Sequence, residues 1–153
     1  MKTILTLLIF LFLANTSFAD VSKDGKYIAY TLQLPNQNNS QIYVFDIEAS
    51  AALESTTVNE KISRGQGSYK NPAWSPKGDA IAFEKIEGGI YFIGVMDADG
   101  QNERMIASDN ELNLENPFWS QDGSKIFFNK TVDGDIWLMR VDYSGHNLEA
   151  YIM

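Results

Sequence analysis

Apolar residues in this chain come in short runs of four to eight, rich in Ile, Phe, Tyr and Trp and separated by clusters of Gly, Pro, Asn and Asp. Such runs carry the signature of strands, and no stretch repeats at the helical spacing, so the pattern predicts strands and no helix. The first run is of another kind. Lys2 precedes the apolar stretch Ile4 to Leu13, and Asn15-Thr16-Ser17-Phe18-Ala19 follows it. A positive start, an apolar middle and small residues at 17 and 19 are the layout of a secretory signal peptide, residues 1–19, with cleavage expected between Ala19 and Asp20. The apolar middle is shorter than the roughly 20 residues of a membrane span.

The remaining pattern repeats. Asn71-Pro72-Ala73-Trp74-Ser75-Pro76-Lys77-Gly78-Asp79-Ala80-Ile81-Ala82-Phe83 aligns with Asn116-Pro117-Phe118-Trp119-Ser120-Gln121-Asp122-Gly123-Ser124-Lys125-Ile126-Phe127-Phe128 at a constant offset of 45 residues. The same offset carries Asp97 to Asp142 and Gly100 to Gly145. A weaker early copy reads Val21-Ser22-Lys23-Asp24-Gly25-Lys26-Tyr27-Ile28-Ala29-Tyr30 and continues in Ile42-Tyr43-Val44-Phe45-Asp46. Its extra residues fall in loops, where insertions leave strands intact.

Each copy reads as four strands. The first ends at Trp74 or Trp119, after Pro72 or Pro117. Ser75-Pro76-Lys77-Gly78 makes a tight turn, because proline presets φ and glycine accepts a positive one; Gln121-Asp122-Gly123 serves the next copy. The second strand starts at Ala80. The third strands, Ile90 to Met96 and Ile136 to Val141, are apolar at nearly every position, which predicts burial on both faces. The fourth are Glu103 to Ala107 and Asn147 to Ile152. A four-stranded unit of about 45 residues has the period of a β-propeller blade. The expected fold is all-β, a partial β-propeller of about three four-stranded antiparallel blades near 20–63, 64–108 and 109–153. The first blade is expected to be incomplete, since signal removal leaves little room for its innermost strand.

The motif Pro-x-Trp-Ser-Pro-x-Gly-x-x-Ile-Ala-Phe, followed by Ile-Tyr, Met-Asp-Ala-Asp-Gly and Arg-Met-Ile, resembles the WD-like propeller repeats of the TolB family. The resemblance spans nearly all of residues 21–153 and is strongest over 71–106. It implies an exported, periplasmic scaffold that binds proteins. It has no counterpart here of the N-terminal α/β domain of that family, and similar blades occur in the propellers of prolyl-oligopeptidase-type enzymes.

Chemistry is sparse. With no Cys there is no disulfide, thiolate metal site or cysteine nucleophile. A formal charge of -8 without any basic run argues against nucleic-acid partners. The single His, His146, lies in the turn Tyr143-Ser144-Gly145-His146-Asn147, and Gly65-Gln66-Gly67-Ser68 lacks the spacing of a nucleophile elbow. Asp97-Ala98-Asp99-Gly100 opens like a calcium loop but has Ser108 where the bidentate Glu belongs. The sequence therefore predicts no catalytic group, no metal and no cofactor. Trp74, Gly78, Asp97, Trp119, Gly123 and Asp142 recur at fixed repeat positions and are expected to be structural; Tyr91 and Trp137 are read as blade packing.

What remains is surface. Propellers bind through loops at the mouths of the channel, and the inter-blade loops 64–71 and 109–116 place Tyr69, Lys70, Glu111 and Glu115 as candidate partner-binding residues. Three blades fall short of the about four to eight of a closed propeller. Self-association or a protein partner is therefore expected to cover the end blades, most economically as a six-bladed dimer. The alternative reading is the propeller piece of a larger hydrolase or carbohydrate-active protein.

Overall fold

The computed structural model describes residues 19–51 and 59–152; residues 1–18, most of the expected signal segment, lie outside them. The described chain forms three four-stranded antiparallel sheets, each a meander in chain order. The first contains β1 (Ala19–Val21), β2 (Tyr27–Leu32), β3 (Gln41–Asp46) and β4 (Asn59–Lys61). The second contains β5 (Ser68–Trp74), β6 (Ala80–Glu87), β7 (Ile90–Asp97) and β8 (Arg104–Asp109). The third contains β9 (Leu114–Trp119), β10 (Lys125–Val132), β11 (Asp135–Asp142) and β12 (Glu149–Ile152). The initial strands β1, β5 and β9 touch one another in succession, so the blades converge on them.

The same turn opens each blade. The carbonyls of Ser22, Ser75 and Ser120 accept the N–H groups of Gly25, Gly78 and Gly123 at 2.8, 3.0 and 2.9 Å. Those glycines have φ of 73°, 75° and 72°, the left-handed region in which any side chain would be strained. A second corner follows the third strand. Asp97 and Asp142 accept the side-chain amides of Asn102 and Asn147 at 2.7 and 2.6 Å, holding those asparagines at φ of 52° and 56°. At the corresponding place in the first blade, Asp46 instead accepts the Ala49 N–H at 2.8 Å and caps a short helix, α1 (Ile47–Ala51). The strand-only pattern predicts no helix here, because five residues are too few to show a period.

The first strands bend where the Asn-Pro pairs sit. Register slips between Lys70 and Ala73 in β5, and opposite Phe127 and Asn129 for β9, with Asn71 and Asn116 at φ of 47° and 55°. Proline has no N–H to give a ladder, and a bulge asks for none.

Two apolar cores join the blades. Between the first and second lie Ala29, Ile42, Ile62, Tyr69, Trp74, Ile81, Phe83 and Met96. Between the second and third lie Ala82, Ile93, Val95, Ile106, Leu114, Ile126, Phe128 and Val141. The two repeat tryptophans both sit at joints but differ in burial. Trp74 is 8% exposed, and its backbone N–H donates to Asp20 at 2.7 Å. Trp119 is half-buried, and its indole N–H donates to the Ala73 carbonyl at 2.9 Å. Burial on both faces holds for the second half of β7 but not for β11, most of which is half-buried or exposed. No described element stacks against the outer face of β11. β1 spans the expected cleavage site, with Ala19 paired to Tyr30. Cleavage there would leave Asp20 and Val21 of it.

Candidate functional site: the inner ends of the blades

Lys70 and Glu115 occupy the same blade position on neighbouring first strands, 45 residues apart. Lys70 pairs across the sheet with Glu84, and Glu115 with Asn129. Lys70 is exposed and Glu115 half-buried, so opposite charges stand side by side where the blades converge. Glu111 is exposed in the loop that enters β9, its N–H bonded to Asp109 at 2.9 Å. Asp109 also pairs with Lys130 at 2.8 Å, and that bond, with the loop N–H groups, pulls its carboxyl down to about 2.

Between Lys70 and Glu115 lies Glu84, buried at 6% exposure. Its carboxylate accepts the backbone N–H of Asn116 at 2.5 Å and the side-chain amide of Asn71, tying the second blade to the third. The amides of Asn71 and Asn116 meet at 3.4 Å. Burial pushes the Glu84 carboxyl above the usual glutamate range, partly offset by those two bonds, with nearby Glu115 raising it further. The sequence reading missed Glu84. The signal was a Glu-Lys pair continuing the apolar run Ala80 to Phe83 inside one strand.

Tyr69 is not on this surface. It is fully buried, its hydroxyl donates to Glu103 at 2.7 Å, and Lys85 stands 4.9 Å above its ring. Burial first, and the Glu103 bond second, push its hydroxyl up to about 12. Lys85 is itself buried and paired with Glu87 at 2.9 Å and Glu103 at 3.2 Å. Gly65 closes over this group, since a Cβ there would come within 2.3 Å of the Tyr69 hydroxyl. Tyr69 thus serves the core, and of the two neighbouring residues on β5 only Lys70 faces solvent.

The remaining candidates are dispersed. His146 is exposed, with Nδ1 3.0 Å from the Ser144 hydroxyl in its own turn. Asp142 is taken up by Lys125 at 2.6 Å and Asn147. Among the described residues no three His, Cys, Asp or Glu side chains gather as metal ligands, and no helix is long and apolar enough to cross a membrane.

Comparison with known proteins sets this geometry in a lineage. A stretch of TolB from Wolbachia of Drosophila simulans, a protein named for the Tol-Pal system, is 42% identical over 72 residues, 47% of this chain and 16% of that protein. TolB of Gluconobacter oxydans is 50% identical over 44 residues, 29% of this chain and 10% of that protein. The chain thus spans about a sixth or less of these relatives. Among solved structures, TolB of Acinetobacter baumannii aligns with a TM-score of 0.72 at 20% identity, over 90% of this chain and 32% of that one. A putative TolB of Agrobacterium tumefaciens gives 0.70 at 21%, over 91% and 48%. A puromycin-hydrolysing peptidase of Mycobacterium tuberculosis gives 0.70 at 15%, over 92% and 24%, which shows that the blade fold is shared with enzymes. The family model of the TolB β-propeller domain matches residues 17–152, and the chain belongs to that family.

Proposed function

We propose that this chain is an exported, non-enzymatic propeller module that binds a protein partner at the inner ends of its blades. The observation that supports this reading is the placement of Lys70 and Glu115 at equivalent positions on adjacent first strands, with buried Glu84 tying those strands together through Asn71 and Asn116. Such a rim offers one donor and one acceptor charge on strands paired within their sheets, a preorganised surface for a peptide of mixed charge. The relatives are named as proteins of the Tol-Pal system, and with export of this chain that favours a partner from the periplasm. The leader at 1–19 would deliver the chain there.

The test is chemical cross-linking in periplasmic extract with the parent, a Lys70→Glu variant and a Glu115→Lys variant. A partner that cross-links to the parent and is lost from both variants, with melting temperature unchanged, supports the rim. A partner retained by both variants contradicts it.

A second reading, a propeller unit serving a hydrolase, rests on the peptidase among the structural neighbours. In that reading these three blades are a fragment or a subunit of a larger hydrolase whose nucleophile lies outside them, and the same cross-linking would identify a partner chain that carries it.

A further inference from the structure

The first residue after the expected cut departs from the repeat. Asp20 stands where the later blades carry Ala73 and Phe118, in step with the turn glycines Gly25, Gly78 and Gly123. Its carboxylate reaches two backbone donors. Oδ1 accepts the N–H of Val21 at 3.0 Å, and Oδ2 accepts the N–H of Trp74, 54 residues further along, at 2.7 Å. At the next joint the tie between first strands runs from the Trp119 indole to the Ala73 carbonyl and uses no carboxylate. Asp20 thus fastens β1 to β5 by a charge-assisted bond, which is stronger than one between neutral groups.

The bond to be cut lies inside the same strand. Ala19 and Asp20 pair with Tyr30 and Ala29, and Val21 with Ile28, so both sides of the scissile peptide belong to the ladder with β2. The hairpin is closed further along by the Ser22 N–H, which donates to the Tyr27 carbonyl at 2.9 Å, and by the Ser22 hydroxyl, which accepts the Tyr27 N–H at 3.0 Å. β2 is itself paired with β3 along all six of its residues. The side chains of Ala19 and Val21 are exposed, so it is the backbone and Asp20 that are committed. A protease draws several residues of backbone into its own cleft, and a segment paired in a sheet is cut through the fraction of molecules in which it has opened.

We infer that folding of the first two blades withholds the Ala19–Asp20 peptide from signal peptidase, with the bond from Asp20 to Trp74 as the latch. The inference rests on the proposed leader at 1–19. Its consequence is an order of events. A chain cut before its first blade closes is released, and its new N-terminal residue, Asp20, keeps the bond to the second blade. A chain whose first blade closes beforehand keeps the apolar leader and the membrane attachment that goes with it. Release is decided by a competition between the protease and the β1–β2 hairpin, and Asp20 sets how firmly the hairpin holds.

The experiment is digestion of the full-length precursor in mild detergent by purified signal peptidase, with the product identified by N-terminal sequencing. The parent and Asp20→Ala are each compared with the same chain carrying Ile42→Arg. Ile42 is fully buried in the first core, so an arginine there unfolds the first blade without touching the cleavage site, as circular dichroism would verify. Reading each folded chain against its unfolded counterpart cancels any preference of the protease for the residue at 20. The unfolded chains should be cut between 19 and 20. The folded parent should be cut at least about a hundredfold more slowly, and Asp20→Ala should narrow that ratio about tenfold, the effect of one hydrogen bond to a charged group on an opening equilibrium. Asp20→Asn, measured in the same way, keeps the shape of the side chain without its charge and should fall between, which covers a failure of Asp20→Ala to fold. A folded parent cut as fast as its unfolded counterpart overturns the inference and leaves the leader in place. A ratio unchanged by both substitutions at Asp20 removes the latch and overturns it as well. Unfolded chains left uncut, or cut elsewhere, overturn the leader reading itself and the inference with it.

Discussion

The outer side of the second blade and the outer side of the third are the same surface by repeat position, and they meet opposite fates. In the second blade Ala82, Ile93, Val95 and Ile106 are buried under the next blade. In the third their counterparts Phe127, Leu138, Arg140 and Tyr151 range from half-buried to exposed. The central pair of strands is matched over eight residues in both sheets. Burial in this fold is therefore conferred by the neighbouring blade and not by the strand's own pattern.

The comparison breaks most sharply at the tryptophans. Trp74→Ala should lower stability by about 3–5 kcal/mol, because it removes a buried ring from the first joint. Trp119→Ala should cost about half of that, since the ring is half-buried, although its bond to Ala73 is also lost. Denaturant melts of the two variants check the order; equal losses would put the two joints on the same footing. Next in size is a transplant between the faces. Ala82→Phe forces the residue of the third blade into a closed joint and should cost about 1–3 kcal/mol, whereas Phe118→Ala, on the open face, should cost under about 1 kcal/mol in the monomer.

The smallest effects concern protons. Glu84 has a raised carboxyl in the folded chain, so the folded state holds its proton more tightly than the unfolded state does. Its contribution is fully present below the ordinary glutamate value and is lost as pH rises through the folded value. Asp109 is the reverse. Held down to about 2 by Lys130 and two loop N–H groups, it contributes above the ordinary aspartate value of 3.8 and loses that contribution as pH falls toward about 2. Stability followed from pH 7 down to pH 2 in Glu84→Gln and Asp109→Asn should show these opposite slopes removed one at a time. A parent slope unchanged in both variants would show that neither carboxylate governs its joint.

Much of the architecture was legible because the same residues recur. Trp74 and Trp119, Gly78 and Gly123, and Asp97 and Asp142 set the period, and one turn geometry explains the glycine pair and another the aspartate pair. What escaped came from features that occur once or that break alternation. Helix α1 is a five-residue insertion with only Asp46 to announce it. Tyr69 reads as a loop residue until the bulge at Asn71-Pro72 is known. Tyr69 and Trp74 are five positions apart and on opposite faces of a regular strand, yet the bulge turns both into one core. Glu84 was hidden by its place in an apolar strand, where its bonds to Asn71 in its own blade and to Asn116 in the next depend on contacts no single strand reveals.

The most direct test of the neighbour's role is an exchange of equivalent residues followed by thermal melting. Val95, 1% exposed in the second joint, corresponds to Arg140 on the outer face, which pairs with Glu149. Val95→Arg would bury an unpaired guanidinium between blades, and Arg140→Val would remove an ion pair to Glu149 and the cation–π contact with the exposed Tyr151 ring. The expected result is loss of cooperative melting in Val95→Arg and a midpoint within a few degrees of the parent in Arg140→Val. A Val95→Arg chain that melts like the parent, or an Arg140→Val chain that does not fold, would contradict the account.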